Sequence, residues 1–446
     1  MPLGPEQWRG VYDEFDPVHR VEFDEGDLFV ARPGSVAASI VDDLQLRLNP
    51  LGKWIVCGSM GTGKSSELVH LARQLWQSHA IVGLDLPRSV ARVDRLQPAE
   101  VLYLIGLAAV RAAGELWGHP ITGDLIAELH ASFTPLLGEH SREIRPGDII
   151  QGVALLMAHA AGAGPAVAAA AAGAARAAAG VAPSQIRLSR GTPLGGAARP
   201  VVEGDPDLER LQSAVDNILA EVGKYRPPVV LVDGLDKIQE LRPIRDLFSG
   251  SRVLALPQAP VIYTGPITLM LATEWQAAAG FFRRERLTNV VVRPPSLARI
   301  DVSIEKLNAG QMAMRRVVEH RLRRRDLSIV EVFDMGCLER LIEVSGGLMR
   351  DLIHLVSRAV RWCLRHDAGL VSQAAVEEAI TELRHEFEIT LNTRRIEELV
   401  HVASNGEPSG SEVSAELLLS GYVLPYVNGN VWFEPHPLLR GLRPGL

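Results

Sequence analysis

A glycine-rich loop at residues 58–65 constrains the fold of this chain more than any other feature. It reads Gly-Ser-Met-Gly-Thr-Gly-Lys-Ser and fits the pattern G-x-x-x-x-G-K-[ST] without a gap. Residues 53–57 (KWIVC) before it form a short apolar run typical of a buried strand, and residues 64–77 after it carry apolar side chains at helical spacing. A loop placed between a strand and a helix in this way predicts a phosphate-binding site on an α/β domain.

The composition of the loop matches the chemistry of phosphate binding. Glycines let the backbone turn tightly enough for successive N–H groups to point at the β- and γ-phosphates, assisted by the N-terminus of the following helix. Lys64 supplies a compensating positive charge, and the Ser65 hydroxyl is a ligand for Mg²⁺. A chance glycine loop is the alternative, and the flanking strand and helix argue against it. The predicted nucleotide-binding residues are Gly58, Ser59, Met60, Gly61, Thr62, Gly63, Lys64, Ser65 and Ser66.

Further apolar runs predict more strands of one sheet. Residues 80–86, 228–232 (PVVLV) and 260–264 (PVIYT) are of the fully apolar kind expected in a parallel sheet that is covered on both faces. With 446 residues, 47% of them hydrophobic, the chain is long enough for two or three domains. The sequence therefore predicts an α/β P-loop domain with additional domains after it.

Polar residues follow two of these runs. Asp233 directly follows the run PVVLV. It is the predicted metal-site residue, because a P-loop needs an acid at the end of a neighbouring strand. Asp236 is predicted to orient or activate the attacking water, and its alternative role is a helix N-cap ahead of Lys237. Thr264 is predicted to sense the γ-phosphate, and its alternative role is to cap a turn before Gly265.

Arg350 is a further candidate for phosphate contact. It opens a predicted helix, where the positive end of the helix dipole gives an arginine little intrinsic benefit. A phosphate reached from that helix would account for it, and the alternative is a surface ion pair with Asp351.

A long insertion separates the second predicted strand from the third. Residues 149–175 within it contain no charged side chain and are long enough to cross a membrane. Alanine and glycine dominate this stretch. If the strands on either side of it belong to one sheet, the chain must cross the membrane twice to return to the same side, and the stretch is long enough for only one crossing. A flexible or helical surface insertion is therefore favoured over a membrane-associated hairpin.

Charge and cysteine usage exclude several classes of protein. A net charge of −7 gives no global attraction to nucleic acid or to anionic membranes. Three separated cysteines, Cys57, Cys337 and Cys363, speak against a disulfide framework or a zinc site. The polar, acidic N-terminus is unlike a signal peptide. We expect a cytoplasmic protein that is not bound to a membrane.

The second half of the chain changes character. Apolar residues at helical spacing predict a helical lid, with helices at residues 304–325, 330–344, 348–365 and 372–388. Two more helices are predicted near residues 390–404 and 410–419, and Asn428-Gly429 between alternating apolar residues predicts a β-hairpin. We expect a leader at 1–50, a P-loop domain at 51–300 with an insertion at about 100–205, a lid at 301–389 and a winged-helix domain at 390–446.

With these residues in place, the chain resembles the STAND class of P-loop NTPases, the AAA+ relatives that include NACHT and NB-ARC switch proteins. The segment Asp233-Gly-Leu-Asp236-Lys237 is similar to the NACHT form of the Walker B motif, with Lys237 in place of the usual second acid. Residues 346–350 (GGLMR) lie where these proteins carry a GLPL-type motif, but they lack its proline. The segment instead ends in Arg350, which resembles the sensor-2 arginine of initiator-type AAA+ ATPases. The resemblance implies ATP, ADP and Mg²⁺ as ligands and slow hydrolysis of ATP.

The tail adds to the resemblance. STAND proteins end their winged-helix module in a Met-His-Asp type motif whose histidine reaches the β-phosphate of ADP and locks the closed state. His436 has the corresponding place here, with Pro437 instead of the aspartate, and the resemblance implies the same nucleotide contact. The alternative is a histidine packed between prolines at a turn.

An arginine run invites a different interpretation, namely DNA binding. The presumed recognition helix at residues 411–419 has two glutamates, and residues 396–439 contain no lysine or arginine, so the tail is a poor match for DNA. A solvated helix face or an intersubunit contact, including an arginine finger in trans, is favoured for the run. The arginine run comprises Arg315, Arg316, Arg321, Arg323, Arg324 and Arg325.

Three hypotheses follow for the function. The favoured one is a nucleotide-dependent switch that is closed with ADP and that opens and assembles as a homo-oligomer with ATP. Separate protein partners would then supply sensing and output, with signalling or defence as the usual setting for such proteins. The alternatives are an AAA+ ATPase that loads or regulates DNA transactions and a membrane-associated P-loop ATPase.

Overall fold

The computed structural model describes residues 3–19, 21–46, 48–90, 92–138, 194–238, 240–270 and 275–442. The chain divides into two compact units. The lid unit comprises Met1–Ala38, Cys57–His70 and Arg286–Leu446, and the sheet unit comprises Ser39–Val56 and Leu71–Glu285. The Ala-rich stretch at residues 149–175 lies outside the described residues, and no helix within the described ranges has the length and hydropathy of a membrane span.

Five strands form one sheet in the order β2-β3-β4-β1-β5. The pairs β2–β3 and β3–β4 are parallel, which confirms the predicted parallel sheet. Four strands arise from the apolar runs; the fifth has the sequence RRER, and a charged strand of this kind gives no apolar signal. The strands are β1 (Lys53–Gly58), β2 (Ala80–Asp85), β3 (Pro228–Asp233), β4 (Val261–Pro266) and β5 (Arg283–Arg286).

Helices account for most of the remaining described chain. The predicted strand, glycine loop and helix follow one another, because β1 ends at Gly58 and the next helix begins at Lys64. Up to β5 the α-helices are α1 (Pro5–Glu14), α2 (Ala37–Gln45), α3 (Lys64–Leu75), α4 (Leu86–Ser89), α5 (Pro98–Glu115), α6 (Gly123–Phe133), α7 (Pro206–Gly223), α8 (Leu241–Phe248) and α9 (Trp275–Ala278). After β5 they are α10 (Ile304–Arg323), α11 (Ile329–Val332), α12 (Cys337–Val344), α13 (Met349–His366), α14 (Gln373–Ile389), α15 (Thr393–Asn405) and α16 (Glu412–Leu419).

The long helix α5 is buried almost all round, as its nearly continuous apolar sequence requires. Its one buried acid, Glu100, lies in the first turn and is fully buried. Glu100 Oε1 accepts from the N–H groups of Gly195 and Ala197 at 2.9 Å each, and Oε2 accepts from Gly196 at 3.1 Å and from Gln97 at 2.7 Å. This carboxylate therefore fastens residues 195–197 to the start of α5.

The lid unit has a core that includes the N-terminal helix. Apolar side chains of α1, among them Trp8 and Val11, pack in one cluster with those of α10, α12, α13 and α14. Trp8 Nε1 also donates to the Ala368 carbonyl at 2.8 Å. We call this cluster, which further includes Val290 and Val292, the lid core.

One predicted lid helix is divided in two. Residues 330–344 were expected to form a single helix, but Ile329–Val332 and Cys337–Val344 are separate. Gly336 has a φ of +80° and is the N-cap of the second helix, so the backbone reverses there and a continuous helix is excluded. The apolar spacing on either side matches a helix, and this is why the pattern alone did not show the break.

The tail contains two helices followed by an antiparallel hairpin, as the sequence predicts. Strand β6 (Val423–Asn428) pairs with β7 (Asn430–Pro435), and Asn428 lies opposite Asn430. Gly429 has a φ of +74°, which the tight turn requires. Four buried residues, Leu348, Leu424, Tyr426 and Trp432, pack with Val291 in a second apolar cluster, which we call the tail cluster.

Glu100→Gln is expected to lower the free energy of unfolding by about 3 kcal/mol. The side-chain NH₂ group of glutamine replaces one carboxylate oxygen, so the two backbone N–H groups that bonded to that oxygen lose their acceptor and face another donor. Urea denaturation followed by circular dichroism measures the change. Glu128→Gln on the exposed side of α6 is the matched control and should have little effect. Equal stability of the Glu100 and Glu128 variants would contradict the fastening role.

Candidate functional site

The glycine loop has the conformation that phosphate binding needs. Gly61 and Gly63 have φ values of +91° and +97°, which other residues rarely adopt. A side chain at Gly58 would place its Cβ 2.4 Å from the Leu287 carbonyl oxygen and 2.9 Å from Thr62 Oγ1. Glycine is therefore required at all three positions, and α3 begins directly after the loop at Lys64, so the positive end of its dipole lies at the loop.

Buried polar groups line this loop. Lys64 is 3% exposed, and its Nζ donates to the carbonyl oxygens of Gly58 at 2.9 Å and Ser59 at 2.8 Å. Thr62 Oγ1 donates to the Ser59 carbonyl at 2.9 Å. A buried ammonium held by the loop backbone gives the site a fixed positive charge, as a phosphate group requires.

Arg350 lies against the loop. Its backbone N–H donates to the Gly61 carbonyl at 3.2 Å, and a Cβ on Gly61 would come within 2.6 Å of the Arg350 Cβ. The structure thus brings this predicted site residue to the loop. Asp351, the alternative ion-pair partner of Arg350, lies 3.0 Å from His436 instead.

His436 is fully buried between the tail and the lid. Its Nδ1 accepts from the Leu438 N–H at 3.2 Å and so caps the short turn at Pro437–Leu439. Nε2 lies 3.0 Å from Asp351 Oδ2, and the ring packs 4.9 Å from that of Phe387. The histidine does cap a turn, as the alternative proposed, but it also contacts the lid residue next to Arg350.

Arg32 is a site residue that the sequence did not point to. It is 8% exposed, and it donates through one nitrogen to the Thr62 carbonyl at 2.6 Å and through the other to the Thr288 carbonyl. Burial lowers the pKa of Arg32 to about 10, an effect that the charge of Glu67 partly offsets. A buried cation from the N-terminal segment therefore holds the loop backbone.

Glu67 and Phe29 fasten the same segment to α3. Glu67 Oε2 accepts from Ser35 Oγ at 2.8 Å and from the N–H groups of Val36 and Ala37 at 3.3 Å each. The Phe29 ring stacks on that of His70, with 3.8 Å between the centroids. No local motif marks these residues, because each contact joins positions at least 30 residues apart.

Three further candidates come together in the sheet unit. Thr264 Oγ1 accepts from the Gly234 N–H at 2.8 Å and lies 3.2 Å from Asp233 Oδ1 and 3.3 Å from Asp236 Oδ1. Asp236 lies inside the short turn Leu235–Lys237, whose N-cap is Gly234, so its alternative role as a helix cap is wrong. Thr264 lies within β4 and not in a turn, so its alternative role is also wrong.

No metal-binding cluster is formed by acids, histidines and cysteines alone in the part of the chain that the structure describes. No group of three or more of these side chains is placed there to hold a metal by itself. Mg²⁺ in nucleotide sites is bound through one or two carboxylates or hydroxyls together with the phosphates. Ser65 belongs to the lid unit and Asp233 to the sheet unit, and their assignment to Mg²⁺ stays a prediction.

Two members of the arginine run, Arg324 and Arg325, directly follow α10 and pair with acids of the N-terminal segment. Arg324 contacts Glu25 at 3.0 Å, Asp27 at 3.4 Å and Glu14 at 3.6 Å, and Arg325 contacts Glu14 at 2.9 Å. Three members within α10 also bond to groups of the same unit. Arg321 is 5% exposed and donates to a main-chain carbonyl, Arg323 pairs with Glu319, and Arg315 pairs with Glu339.

Comparison with known proteins gives distant structural matches only. No family model and no curated protein matches the chain. Solved structures that match include the Drosophila origin recognition complex bound to DNA, with 12% identity, a TM-score of 0.40, and coverage of 98% of this chain and 92% of that chain. Cdc6p from Pyrobaculum aerophilum matches with 11% identity, a TM-score of 0.37, and coverage of 96% and 94%. Orc1 from Aeropyrum pernix in complex with DNA matches with 14% identity, a TM-score of 0.38, and coverage of 98% and 96%. Similarity at this level carries no argument about function.

Gly61→Ala is expected to lower the affinity for ADP by about tenfold or more, because the new Cβ is strained at this φ and meets Arg350. Titration calorimetry with ADP measures the change. Gly336→Ala is the matched control, since Gly336 also has a positive φ, +80°, but has open space around it. It should reduce stability and leave ADP affinity unchanged. Equal ADP affinities of the two variants would contradict a role for the contact between Gly61 and Arg350 in nucleotide binding.

Proposed function

We propose that this protein is an ATP-binding switch of the AAA+ or STAND type that hydrolyses ATP slowly. One observation carries the proposal: a short series of contacts connects the phosphate loop to the tail. Gly61 accepts from the backbone of Arg350, the next residue is Asp351, and Asp351 lies against His436 of the tail. A change in the loop on nucleotide binding would therefore reach the tail through two adjacent lid residues.

Nucleotide binding is assigned to the loop. Its N–H groups and the α3 N-terminus would hold the phosphates, and Lys64 would neutralise their charge. Ser65 and Asp233 would hold Mg²⁺, which supplies charge neutralisation on the phosphate oxygens. Arg32 keeps the loop backbone in place through the Thr62 carbonyl.

Hydrolysis is assigned to Asp236 and Thr264. A carboxylate near the γ-phosphate can orient or deprotonate the attacking water, and the Thr264 hydroxyl lies within 3.3 Å of Asp236. The hydroxyl has one proton and two neighbouring carboxylates, so it orients one acid at a time. Because Lys237 stands where related motifs have a second acid, we expect slow turnover.

The tail is proposed to act as a winged-helix module that locks the closed state. His436 Nε2 lies 3.0 Å from Asp351 Oδ2 in this conformation. A direct contact with the β-phosphate would require Nε2 to move away from Asp351. The lock therefore acts on the lid residue beside Arg350, and opening would break the contact between His436 and Asp351.

ATP-dependent assembly and separate protein partners belong to the same proposal. A chain that closes with ADP and opens with ATP needs a surface that becomes available on opening. We propose that opening permits a homo-oligomer and that partner proteins supply the triggering signal and the output.

A role in DNA loading is the alternative. It requires a basic docking face, whereas several arginines of the run contact acids of the same unit, as at Arg324 with Glu25 and Arg325 with Glu14. A rise in the ATPase rate on addition of duplex DNA would favour this alternative over the switch. The membrane alternative would be favoured if extraction required detergent and lost that requirement on deletion of residues 149–175.

Lys64→Ala is expected to lower ADP affinity about a hundredfold, because a charged donor is removed from the phosphates. The wild-type protein should retain ADP on purification, and chromatography of the acid-released nucleotide measures it. Lys224→Ala is the matched control, as the Lys224 side chain is 73% exposed. Absence of bound and bindable nucleotide in the wild type would reject the proposed function.

His436→Ala is expected to speed the release of ADP and to favour assembly, because the tail loses its contact with Asp351. Stopped-flow displacement of a fluorescent ADP measures release. Mass photometry with ADP and with a slowly hydrolysed ATP analogue measures assembly.

Asp351→Asn keeps the shape of the contact and removes its charge, so its effect should lie in the same direction and be smaller. His401→Ala, an exposed histidine on α15, is the control. Release at the wild-type rate in the His436 variant would refute the lock.

A further inference from the structure

Four aromatic side chains form a continuous row at the surface of the sheet unit. The rings are those of Trp76, Trp117, Tyr225 and His119, and successive centroids in this order are 4.5, 5.7 and 4.3 Å apart. Tyr225 is 43% exposed, and His119 is exposed as well. We call these four residues the aromatic row. Apolar rings gathered at a surface mark a place where another molecule binds.

The aromatic row lies at the edge of the sheet where two of the strands begin. Trp76 comes between α3 and β2, and Tyr225 comes between α7 and β3. Asp233 lies at the other end of β3, which is six residues long, so that end is about 20 Å away. A ligand of the aromatic row would therefore bind without touching the acids to which hydrolysis is assigned.

A cavity of about 270 Å³ opens beside the aromatic row. Trp117, His119 and Tyr225 line it together with Ala113 of α5 and Val222 of α7. Sites for drug-sized molecules and cofactors have volumes of about 300–1,000 Å³, so this cavity is small for a whole molecule of that kind. It suits one ring of a longer ligand that continues over the neighbouring surface.

Arg226 fixes two of these rings without lining the cavity. Its guanidinium lies 5.1 Å from the centroid of Trp117 and 5.4 Å from that of Tyr225, and Nη1 donates to the Trp76 carbonyl at 2.8 Å. Attraction between a cation and an aromatic ring holds both side chains in place at a surface. The rings are therefore positioned before a ligand arrives, which lowers the entropic cost of binding.

The polar groups around the cavity can donate hydrogen bonds but carry no net charge. Lys224 and Glu221, which also line the cavity, pair with each other at 2.5 Å. Tyr225 Oη and the His119 ring bond to no other group in the part of the chain that the structure describes. A hydroxyl and a neutral imidazole each have one proton to donate. The matching ligand is uncharged and offers apolar rings together with unpaired acceptors.

We propose that the aromatic row binds a proline-rich segment of a partner protein in the polyproline II conformation. Proline rings pack on aromatic side chains, and the carbonyl groups of this helix have no internal partner, so they can accept from Tyr225 and His119. One turn of a polyproline II helix rises about 9 Å, and Trp117 and His119 flank Tyr225 over a similar span.

A single-stranded nucleic acid is the competing ligand, because its bases also stack on aromatic side chains. Its phosphates need unpaired cations, and much of its affinity comes from releasing counterions. Lys224 is the one lysine among the described residues that line the cavity, and it is paired with Glu221. The charge around the cavity therefore favours the proline-rich segment.

Anisotropy of fluorescein-labelled decaproline, titrated with the full chain, tests the proposal. Tyr225→Ala is expected to weaken binding by about tenfold or more, because the central ring and a donor are lost together. Tyr225→Phe keeps the ring and removes the hydroxyl, so its loss should be smaller, about fivefold. The affinity should change little between low and high salt, since the peptide is uncharged apart from its ends.

Phe281→Ala is the matched control. Phe281 is another exposed ring of the sheet unit, at 38%, and the Arg252 guanidinium lies 4.3 Å from its centroid, but it does not line this cavity. It should bind decaproline as the wild type does, and a labelled glycine-serine peptide of the same length should not bind to the wild type.

Four results would overturn the proposal. They are no binding of decaproline at millimolar concentration, wild-type affinity in Tyr225→Ala, an equal loss in Phe281→Ala, and equal binding of the glycine-serine peptide. If labelled oligothymidylate binds instead, weakens with salt and is lost in Tyr225→Ala, the aromatic row is a site for single-stranded nucleic acid and the proposal is wrong. None of these measurements needs a nucleotide, so their failure leaves the proposed switch untouched.

Discussion

The approach of Arg350 to Gly61 is the contact on which the rest of the lid unit depends. A backbone hydrogen bond of 3.2 Å joins them, and the two main chains are so close that a Cβ on Gly61 would meet Arg350 at 2.6 Å. The loop glycine therefore does more than permit a positive φ, because it also lets the lid helix α13 begin at the loop. Since α13 packs in the lid core together with α1, the position of the loop is linked to the packing of the whole unit.

Local patterns in the sequence predicted the parts of the site that depend on local structure. The loop, its strand and its helix form one continuous stretch, and Asn428-Gly429 fixes a hairpin by turn chemistry alone. Residues that act through distant contacts gave no signal. Arg32 reaches Thr62 and a carbonyl 256 positions away, and no apolar run marks β5, because its sequence is RRER. Asp351 was expected only as an alternative ion-pair partner of Arg350.

The arginine run shows the same limit for electrostatics. In the sequence it is a basic run, and basic runs suggest anionic partners. In the fold its last two members, Arg324 and Arg325, contact Glu14, Glu25 and Asp27, which precede them by about 300 positions. A pairing across that separation cannot be read from spacing. It converts a candidate docking surface into a set of contacts that hold the N-terminal segment, and through Arg32 that segment holds the phosphate loop.

The tail hydrogen-bonds to two segments that lie beside residues contacting the phosphate loop. Pro425 accepts from the Asn289 N–H at 3.0 Å, one residue after Thr288, and Tyr426 Oη donates to the Gly346 carbonyl at 2.7 Å, just before the segment that ends in Arg350. Loop and tail are therefore linked through shared backbone. Linkage of this kind is reciprocal, so a nucleotide that favours the docked tail by some factor must itself be bound more tightly by that factor when the tail is docked. Because ADP and ATP carry the same base and differ only at the γ-phosphate, a tail held by His436 would discriminate between them through the phosphate side of the site, by way of Asp351 beside Arg350.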